Sequence, residues 1–227
     1  MEFNALVVEK DEETNVTSSE VKKISLSDLP EGDVLVNVEY SNVNYKDGLC
    51  IGPGAGLVKT YPHVPGIDFA GTVETSQNDN YQKGDQVILT GWRVGEVVWG
   101  GYSQKARVKS SQLVKMPKNM TTKEAMTMGT AGFSAMLAII RLEEMGLSKE
   151  NGEVLVTGAT GGVGSVATVV LSNLGYEVVT VSGKSSSSEY LKSLGSKRII
   201  DRSELNELIK RPLESASWAG CIDTVGG

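Results

Sequence analysis

The segment Glu153-Val-Leu-Val-Thr-Gly-Ala-Thr-Gly-Gly-Val-Gly164 leaves this chain few folds to choose from. A short apolar strand over 154–156 runs into a glycine-rich corner, and a helix over 162–174 follows. Gly161 and Gly164 carry no Cβ, so the backbone can turn sharply there and a ligand can lie against it. The first turn of the helix offers unpaired N–H groups and a positive dipole end, a setting that suits a pyrophosphate. A strict dinucleotide fingerprint has glycine at 159, where this chain has Ala159. In isolation the same pattern reads equally as a tight strand-to-helix corner. What separates the two is the β-branched run Tyr176-Glu-Val-Val-Thr-Val181, about 20 residues beyond the turn, as the fingerprint requires. Thr160, Gly161, Gly162 and Val163 are the expected pyrophosphate contacts.

Around that corner the chain divides in character. Residues 1–115 read as all-β. Asp33-Val-Leu-Val-Asn-Val-Glu-Tyr40 alternates apolar and polar residues, and 69–74, 86–90 and 101–108 repeat the strand-and-turn rhythm of a small barrel or sandwich. The Gly- and Pro-rich stretch 52–66 is a loop of functional length. After Met116-Pro117, Thr121 or Thr122 can cap a helix with Glu124 in its first turn, and helical periodicity resumes from Ala131 to Met145. Gly129-Thr-Ala-Gly132 interrupts the two, which predicts two helices meeting there. Beyond 153, segments 154–157, 162–174, 177–181, 187–194, 198–200, 203–210 and 221–225 alternate strand and helix, the pattern of a parallel, doubly wound sheet. These four strands fall short of the about six in a full dinucleotide fold, so an ending at Gly226-Gly227 is expected to be a truncation. The expected domains are 1–120 and 121–227.

Composition narrows the partners. The 227 residues are 40% hydrophobic and 22% charged, ordinary for a globular protein, and the net charge of −6 argues against general nucleic-acid binding. Two cysteines, Cys50 and Cys221, and one histidine, His63, make no metal-type spacing. His63 lies between prolines and reads as structural, and both cysteines read as inert core thiols. The N-terminus carries acid where a signal peptide carries base, and no apolar run approaches the roughly 20 residues of a membrane span. The expectation is a cytoplasmic protein that binds no membrane.

Charge also selects the cofactor. At the end of the second strand an NAD site places Asp or Glu on the ribose 2′-hydroxyl, whereas an NADP site avoids that acid and supplies cations. Here the strand ends Val181-Ser-Gly-Lys184, and no acid follows before Glu189. Lys184 can sit on a 2′-phosphate as a point charge, Ser182 can donate to it beside Gly183, and Arg198 is a second cation. Solvated surface charge is the alternative for both cations. With the acid absent as well, NADPH is the expected cofactor.

Several strings then occur in a telling order: Asn44-Tyr-Lys-Asp47, Pro65-Gly-Ile-Asp-Phe-Ala-Gly-Thr-Val73, Leu89-Thr-Gly-Trp92, Trp99-Gly-Gly101, Gly129-Thr-Ala-Gly-Phe133, Tyr190-Leu-Lys-Ser-Leu-Gly195 and Trp218-Ala-Gly-Cys-Ile-Asp-Thr-Val-Gly226. With the glycine corner they resemble, along the whole chain, the medium-chain dehydrogenase/reductase superfamily. Within it they resemble the NADPH-dependent acryloyl-CoA reductase branch of the zinc-free, quinone-oxidoreductase-like enzymes. The resemblance implies an α/β protein with an N-terminal GroES-like β-barrel catalytic domain and a Rossmann dinucleotide-binding domain. Zinc-dependent relatives carry Gly-His-Glu where this chain has Gly66-Ile67-Asp68, so a metal ligand is missing and no metal is expected. Full-length family members are homodimers, and a chain stopping at Gly227 lacks the segment that forms their interface.

The implied reaction is reduction of the double bond of an acyl-CoA thioester, with quinone or enone reduction as the near alternative and a catalytically incomplete NADPH-binding fragment as the distant one. Positioning of two reactants and polarisation of a carbonyl are the protein's tasks in such a reaction. By resemblance Tyr45 lies beside the nicotinamide, as a donor or as an aromatic surface, with Asn44 and Asp47 on the same loop. Those two can equally bond their own backbone. Thr130 is expected at the nicotinamide ribose, and Ser182, Gly183, Lys184 and Arg198 at the adenosine end. Asp68 is expected to satisfy buried backbone donors.

Overall fold

Phe3, Ala5 and Val7 turn inward from the first strand, β1 (Glu2–Lys10), in the computed structural model, which describes residues 2–52, 56–183, 185–205 and 215–226. The chain forms two units, Met1–Thr130 and Ala131–Gly227. In the first, β1 pairs antiparallel with β2 (Thr17–Ser25), from Glu2 opposite Ser25 to Lys10 opposite Thr17. Single bridges from Ala5 to Ser103 and from Val8 to His63 join this hairpin to the rest of the unit.

That rest is a five-stranded antiparallel sheet of β3 (Val34–Tyr40), β4 (Asp68–Ser76), β5 (Gln86–Thr90), β6 (Lys105–Val108) and β7 (Val114–Lys115), in the order β6-β3-β4-β5-β7. Its alternating residues do what the sequence pattern requires. Val34, Val36, Phe69, Val73, Val87, Leu89, Ala106 and Val108 form one buried cluster, and removal of that apolar area from water is what drives the sheet together. Between β3 and β4 the sequence reading placed Asn44–Asp47 in a loop. They open a helix instead, α1 (Tyr45–Ile51), with Asn44 as its extended N-cap.

Helix α2 (Thr122–Glu144) begins as expected from a capped threonine: Thr121 N–H donates to Glu124 Oε2 at 2.8 Å, and Glu124 N–H to Thr121 Oγ1 at 3.2 Å. At Gly129 the backbone leaves the helix (φ 48°, ψ −153°), so two helices meet there, as the glycines predict. By length and composition α2 could cross a membrane. Its run is broken at Gly129, however, and Ala135 and Ile139 are wholly buried in the core of the second unit. The expected domain limit at 120/121 moves to 130/131. The start of α2 belongs with the first unit, because Ala125 and Met126 pack with Ala70 of β4.

The second unit is a parallel sheet of β8 (Val154–Val156), β9 (Val178–Ser182), β10 (Arg198–Asp201) and β11 (Gly220–Ile222), ordered β10-β9-β8-β11. Helices α3 (Gly162–Leu174), α4 (Ser188–Ser193) and α5 (Arg202–Leu205) occur in the order predicted, and 206–210 of the last expected helix lie outside the described residues. Every residue of β8 is buried, which follows from cover on both faces. Val154, Val156 and Val178 join Ala167, Leu171 and Leu191 on one side, while Leu155, Val179, Val181 and Ile200 cluster on the other. The last strand is shorter than the predicted 221–225, because the chain turns after Ile222.

Candidate active site

The strands of the parallel sheet all end at one edge, and a cavity of about 720 Å³ opens there. Sheet order reverses between β8 and β11, the point at which open parallel sheets take their ligands. The sharp turn of the glycine corner is made by Gly158, at φ +56°, whose added Cβ would lie 2.2 Å from Thr224 Oγ1. Gly161 has an ordinary φ of −81°. Gly164 serves packing: a Cβ there would sit 2.4 Å from the Gly158 carbonyl oxygen. The expectation that Gly161 and Gly164 make the turn is corrected accordingly.

Hydrogen bonds from the far side brace this corner. Thr224 N–H donates to Thr157 Oγ1 at 3.0 Å and Thr224 Oγ1 to the Thr157 carbonyl at 2.9 Å. Thr157 Oγ1 in turn donates to Asp223. That bond, then the Val225 and Gly226 amides, holds the Asp223 carboxyl below the usual range. The turns after β8 and β11 thus form one fixed wall. Thr160 lines the cavity. Ser165 N–H makes the first bond of α3, to the Gly161 carbonyl at 2.9 Å. The amides of Gly162, Val163 and Gly164 therefore have no acceptor within their own helix and form its positive end.

On the other wall stand Ser182 and Gly183, at the end of β9. Lys184 lies outside the described residues. Arg198 is not with them. It opens β10, opposite Val179, while Asp201 at the other end of that strand is opposite Ser182. Three residues of strand span about 10 Å. The Arg198 guanidinium is engaged at the amino-terminal edge, by Glu153 at 2.5 Å and over the Trp218 ring at 5.4 Å. The expectation that Arg198 serves the adenosine end is therefore corrected. Arg202, which the sequence reading passed over, lines the cavity and makes no ion pair among the described residues. Neighbouring Asp201 is turned to capping: Ser203 donates to it through N–H at 2.9 Å and Oγ at 2.7 Å, which lowers its pKa.

The first unit holds a second group of candidates, organised by Asp68. This carboxylate is fully buried. Oδ1 accepts Asn42 N–H at 3.0 Å, and Oδ2 accepts Asn44 Nδ2 at 3.1 Å, Thr130 N–H at 2.8 Å and Thr130 Oγ1 at 2.7 Å. It meets backbone donors, as expected, and two candidate side chains besides. Gly129 makes room, since a Cβ there would lie 2.1 Å from Asn42 Nδ2. Because the Thr130 hydroxyl donates its proton to Asp68, its oxygen faces any ligand as an acceptor.

Asp47 is 1% exposed and also fully used. Its Oδ1 accepts Ile67 N–H at 2.9 Å and its Oδ2 accepts Asn44 N–H at 2.8 Å. The expectation of Asp47 as a group in contact with substrate is corrected: it fixes α1 to the chain before β4. Tyr45, the first residue of that helix, is 87% exposed and free to meet a ligand. Asn44 is bound to Asp68 and holds the helix start. Nearby, burial and then the Asp47 charge push the Cys50 thiol up to about 11, so it is inert as expected. Cys221 departs from expectation, being exposed on β11, an edge strand among the described residues. His63 is structural, with Nε2 2.8 Å from the Gly95 carbonyl oxygen.

A glycine-cornered parallel sheet following a mainly β unit with a buried, hydrogen-bonded aspartate is the architecture of a two-domain dehydrogenase/reductase. The model of the alcohol dehydrogenase GroES-like domain matches residues 30–118, and that of the NAD dependent epimerase/dehydratase family matches 154–219. The chain is 63% identical over 225 residues to acrylyl-CoA reductase AcuI of Ruegeria pomeroyi, covering 99% of this chain and 68% of that protein. Among solved structures it is similar to Escherichia coli K-12 YhdH with bound NADPH (50% identity, TM-score 0.92, 98% of this chain and 68% of that one). It is also similar to Bacillus subtilis YhfP with NAD bound (45% identity, TM-score 0.95, 100% and 68%). The chain belongs to the medium-chain dehydrogenase/reductase superfamily, in its zinc-free, quinone-oxidoreductase-like branch with the acrylyl-CoA reductases. It spans about two thirds of the length of these relatives.

Proposed function

We infer that this protein reduces the carbon–carbon double bond of acryloyl-CoA to give propanoyl-CoA, with NADPH as cofactor. The observation that carries the reading is the glycine-cornered cavity at the carboxyl edge of the parallel sheet, in a chain 63% identical to an acrylyl-CoA reductase. The residues present fit NADPH: glycine where a Cβ would block approach, free amides for the pyrophosphate, and Arg202 without a competing ion pair among the described residues. Bound there, the cofactor supplies a hydride for the β-carbon of the thioester. Thr160 and the amides of Gly162, Val163 and Gly164 hold its pyrophosphate, while the Gly161 amide is spent on the Gly158 carbonyl at 2.9 Å. Ser182, Gly183 and Arg202 hold the adenosine end, with Lys184 beside them in sequence.

In the first unit the Thr130 oxygen accepts from a ribose hydroxyl, and Asp68 keeps it in that orientation. Tyr45 presents the exposed phenol, the group we assign to donate to the thioester carbonyl or to return a proton to the α-carbon. Asn44 and Asp47 act through Tyr45, by fixing the start of its helix. NADPH and acyl-CoA thioesters are both cytoplasmic metabolites, so the cytoplasm is the proposed compartment, and a homodimer is the assembly proposed for the full-length form.

The test is NADPH oxidation by the purified protein on adding acryloyl-CoA, beside NADH and a simple quinone. Fast, NADPH-selective turnover of the thioester is expected. Faster turnover of the quinone would transfer the reading to a quinone reductase, and NADPH binding without turnover of either would leave a cofactor-binding protein. A second measurement isolates the cofactor argument. Arg202→Glu should weaken NADPH about tenfold or more relative to NADH, because the 2′-phosphate is their only difference. Arg198→Ala should leave that ratio unchanged.

A further inference from the structure

Directly after β5 the chain places Gly91, Trp92 and Arg93 in succession at φ +82°, +56° and +56°. Only glycine enters that region freely, and two adjacent residues with side chains held there are strained. A hydrogen bond from Val94 N–H to the Gly91 carbonyl at 3.1 Å closes the turn of which Trp92 and Arg93 are the two central residues. Val94, the next residue, is wholly buried in the sheet core, whereas Trp92 is 63% exposed. The backbone conformation delivers an indole to the surface.

The support behind this corner is rigid. The Arg93 carbonyl accepts the N–H groups of Glu96, Val97 and Val98 at 3.2, 3.0 and 3.4 Å. His63 holds the Gly95 carbonyl, and a Cβ on Gly95 would lie 2.6 Å from the Gly66 backbone. The Arg93 side chain itself is 70% exposed and reaches Glu96 only at 3.9 Å. That carboxylate is already held by Lys46 at 2.9 Å, so the guanidinium is available to another anion. Lys46 follows Tyr45 in α1, and the pair therefore ties the corner to the helix that carries the exposed phenol.

An exposed indole and an exposed guanidinium on consecutive residues offer a phosphorylated nucleoside a plane for its base and two parallel N–H donors for its phosphate. The adenosine end of the dinucleotide is already assigned to the second unit. We propose that the Trp92–Arg93 corner binds the phosphorylated adenosine end of the acyl-CoA substrate, with the indole stacked on adenine and the guanidinium on a phosphate. This rests on the reading of acyl-CoA as the substrate. No bond changes at this site, so its contribution is to substrate binding.

Coenzyme A itself is the probe, titrated calorimetrically into the full chain and three variants. Trp92→Gly relieves the backbone and should melt no lower than the parent, yet bind coenzyme A about tenfold more weakly. Trp92→Phe should recover most of that loss, and Arg93→Ala should lose several-fold. In turnover, KM for acryloyl-CoA should rise in Trp92→Gly, with kcat held and with acryloyl-pantetheine, which lacks the nucleotide, unaffected. A folded Trp92→Gly with parental affinity for coenzyme A overturns the proposal, as does a parent that binds no coenzyme A. Tryptophan-dependent binding without reduction of acryloyl-CoA would sustain this site and sink the reductase reading. Reduction with an affinity indifferent to Trp92 would do the reverse.

Discussion

Gly158 is the residue on which the cofactor cavity depends most directly, since it alone in the corner combines a left-handed φ with a side-chain neighbour 2.2 Å from any added Cβ. Gly158→Ala should cost about 2 kcal/mol or more, from backbone strain and from displacement of Thr224. Urea unfolding followed by Trp218 fluorescence would read it. His63 gives a pH signature. Burial lowers its pKa below the ordinary 6.5, so the folded protein keeps the ring neutral where the unfolded chain already binds a proton. Stability from this source is whole above pH 6.5 and falls as pH drops from there toward the lower folded value. His63→Gln should flatten the stability curve as pH falls below about 6.5 relative to the parent, and equal slopes in the two proteins would remove His63 as the cause.

Among elements, α1 shows how much a short helix owes to its ends. Seven residues with Gly48 among them do not hold a helix alone. Asp47 supplies the missing support, and Asp47→Ala would leave the Asn44 and Ile67 amides without their acceptor. A loss of about 2–4 kcal/mol is expected in chemical denaturation, with kcat lowered through Tyr45. By sequence Asn44–Asp47 belong to a loop, although the spacing of Asn44 to Asp47 is that of an N-cap and its third helical residue. The signal was present and too short to outweigh the surrounding glycines. Strand polarity accounts for the other miss. Arg198 precedes Ile199-Ile200 and Arg202 follows Asp201, so in a parallel sheet they belong to opposite edges. The doubly wound alternation, the glycine corner, the break at Gly129 and the core residues of β8 and β9 were all legible, because each is a local pattern with one physical solution. The Asp68 network was only partly legible. Its partners lie 24 to 62 residues away, and only the fold brings them together.

For the whole molecule, the tryptophans divide usefully: Trp92 and Trp99 belong to the first unit and Trp218 to the second. NADPH at a hundred times its dissociation constant should stabilise the state that binds it by about 2.7 kcal/mol. In a variant keeping only Trp218, thermal unfolding should shift upward with NADPH and less with an equal concentration of NADH. An equal shift with both would show that the 2′-phosphate is not read. The sequence placed the division between units ten residues early, at 120/121. A capped helix start looks like the start of a domain, and only packing of Ala125 and Met126 on Ala70 reveals that its first turns belong to the sheet before it.

The occupancy of Asp68 carries a consequence for metal binding. In zinc-dependent relatives the neighbouring position holds a histidine, and here it holds Ile67. Restoring that one ligand would not restore a metal centre, because both oxygens of Asp68 are committed to Asn42, Asn44 and Thr130. To free them, the donors must change as well, and Gly129 would then lose the neighbours that its conformation accommodates. Each such change removes a partner of a buried carboxylate before any metal could take its place. A metal-binding variant of this chain would therefore have to be built by replacing the whole network together, not by one substitution.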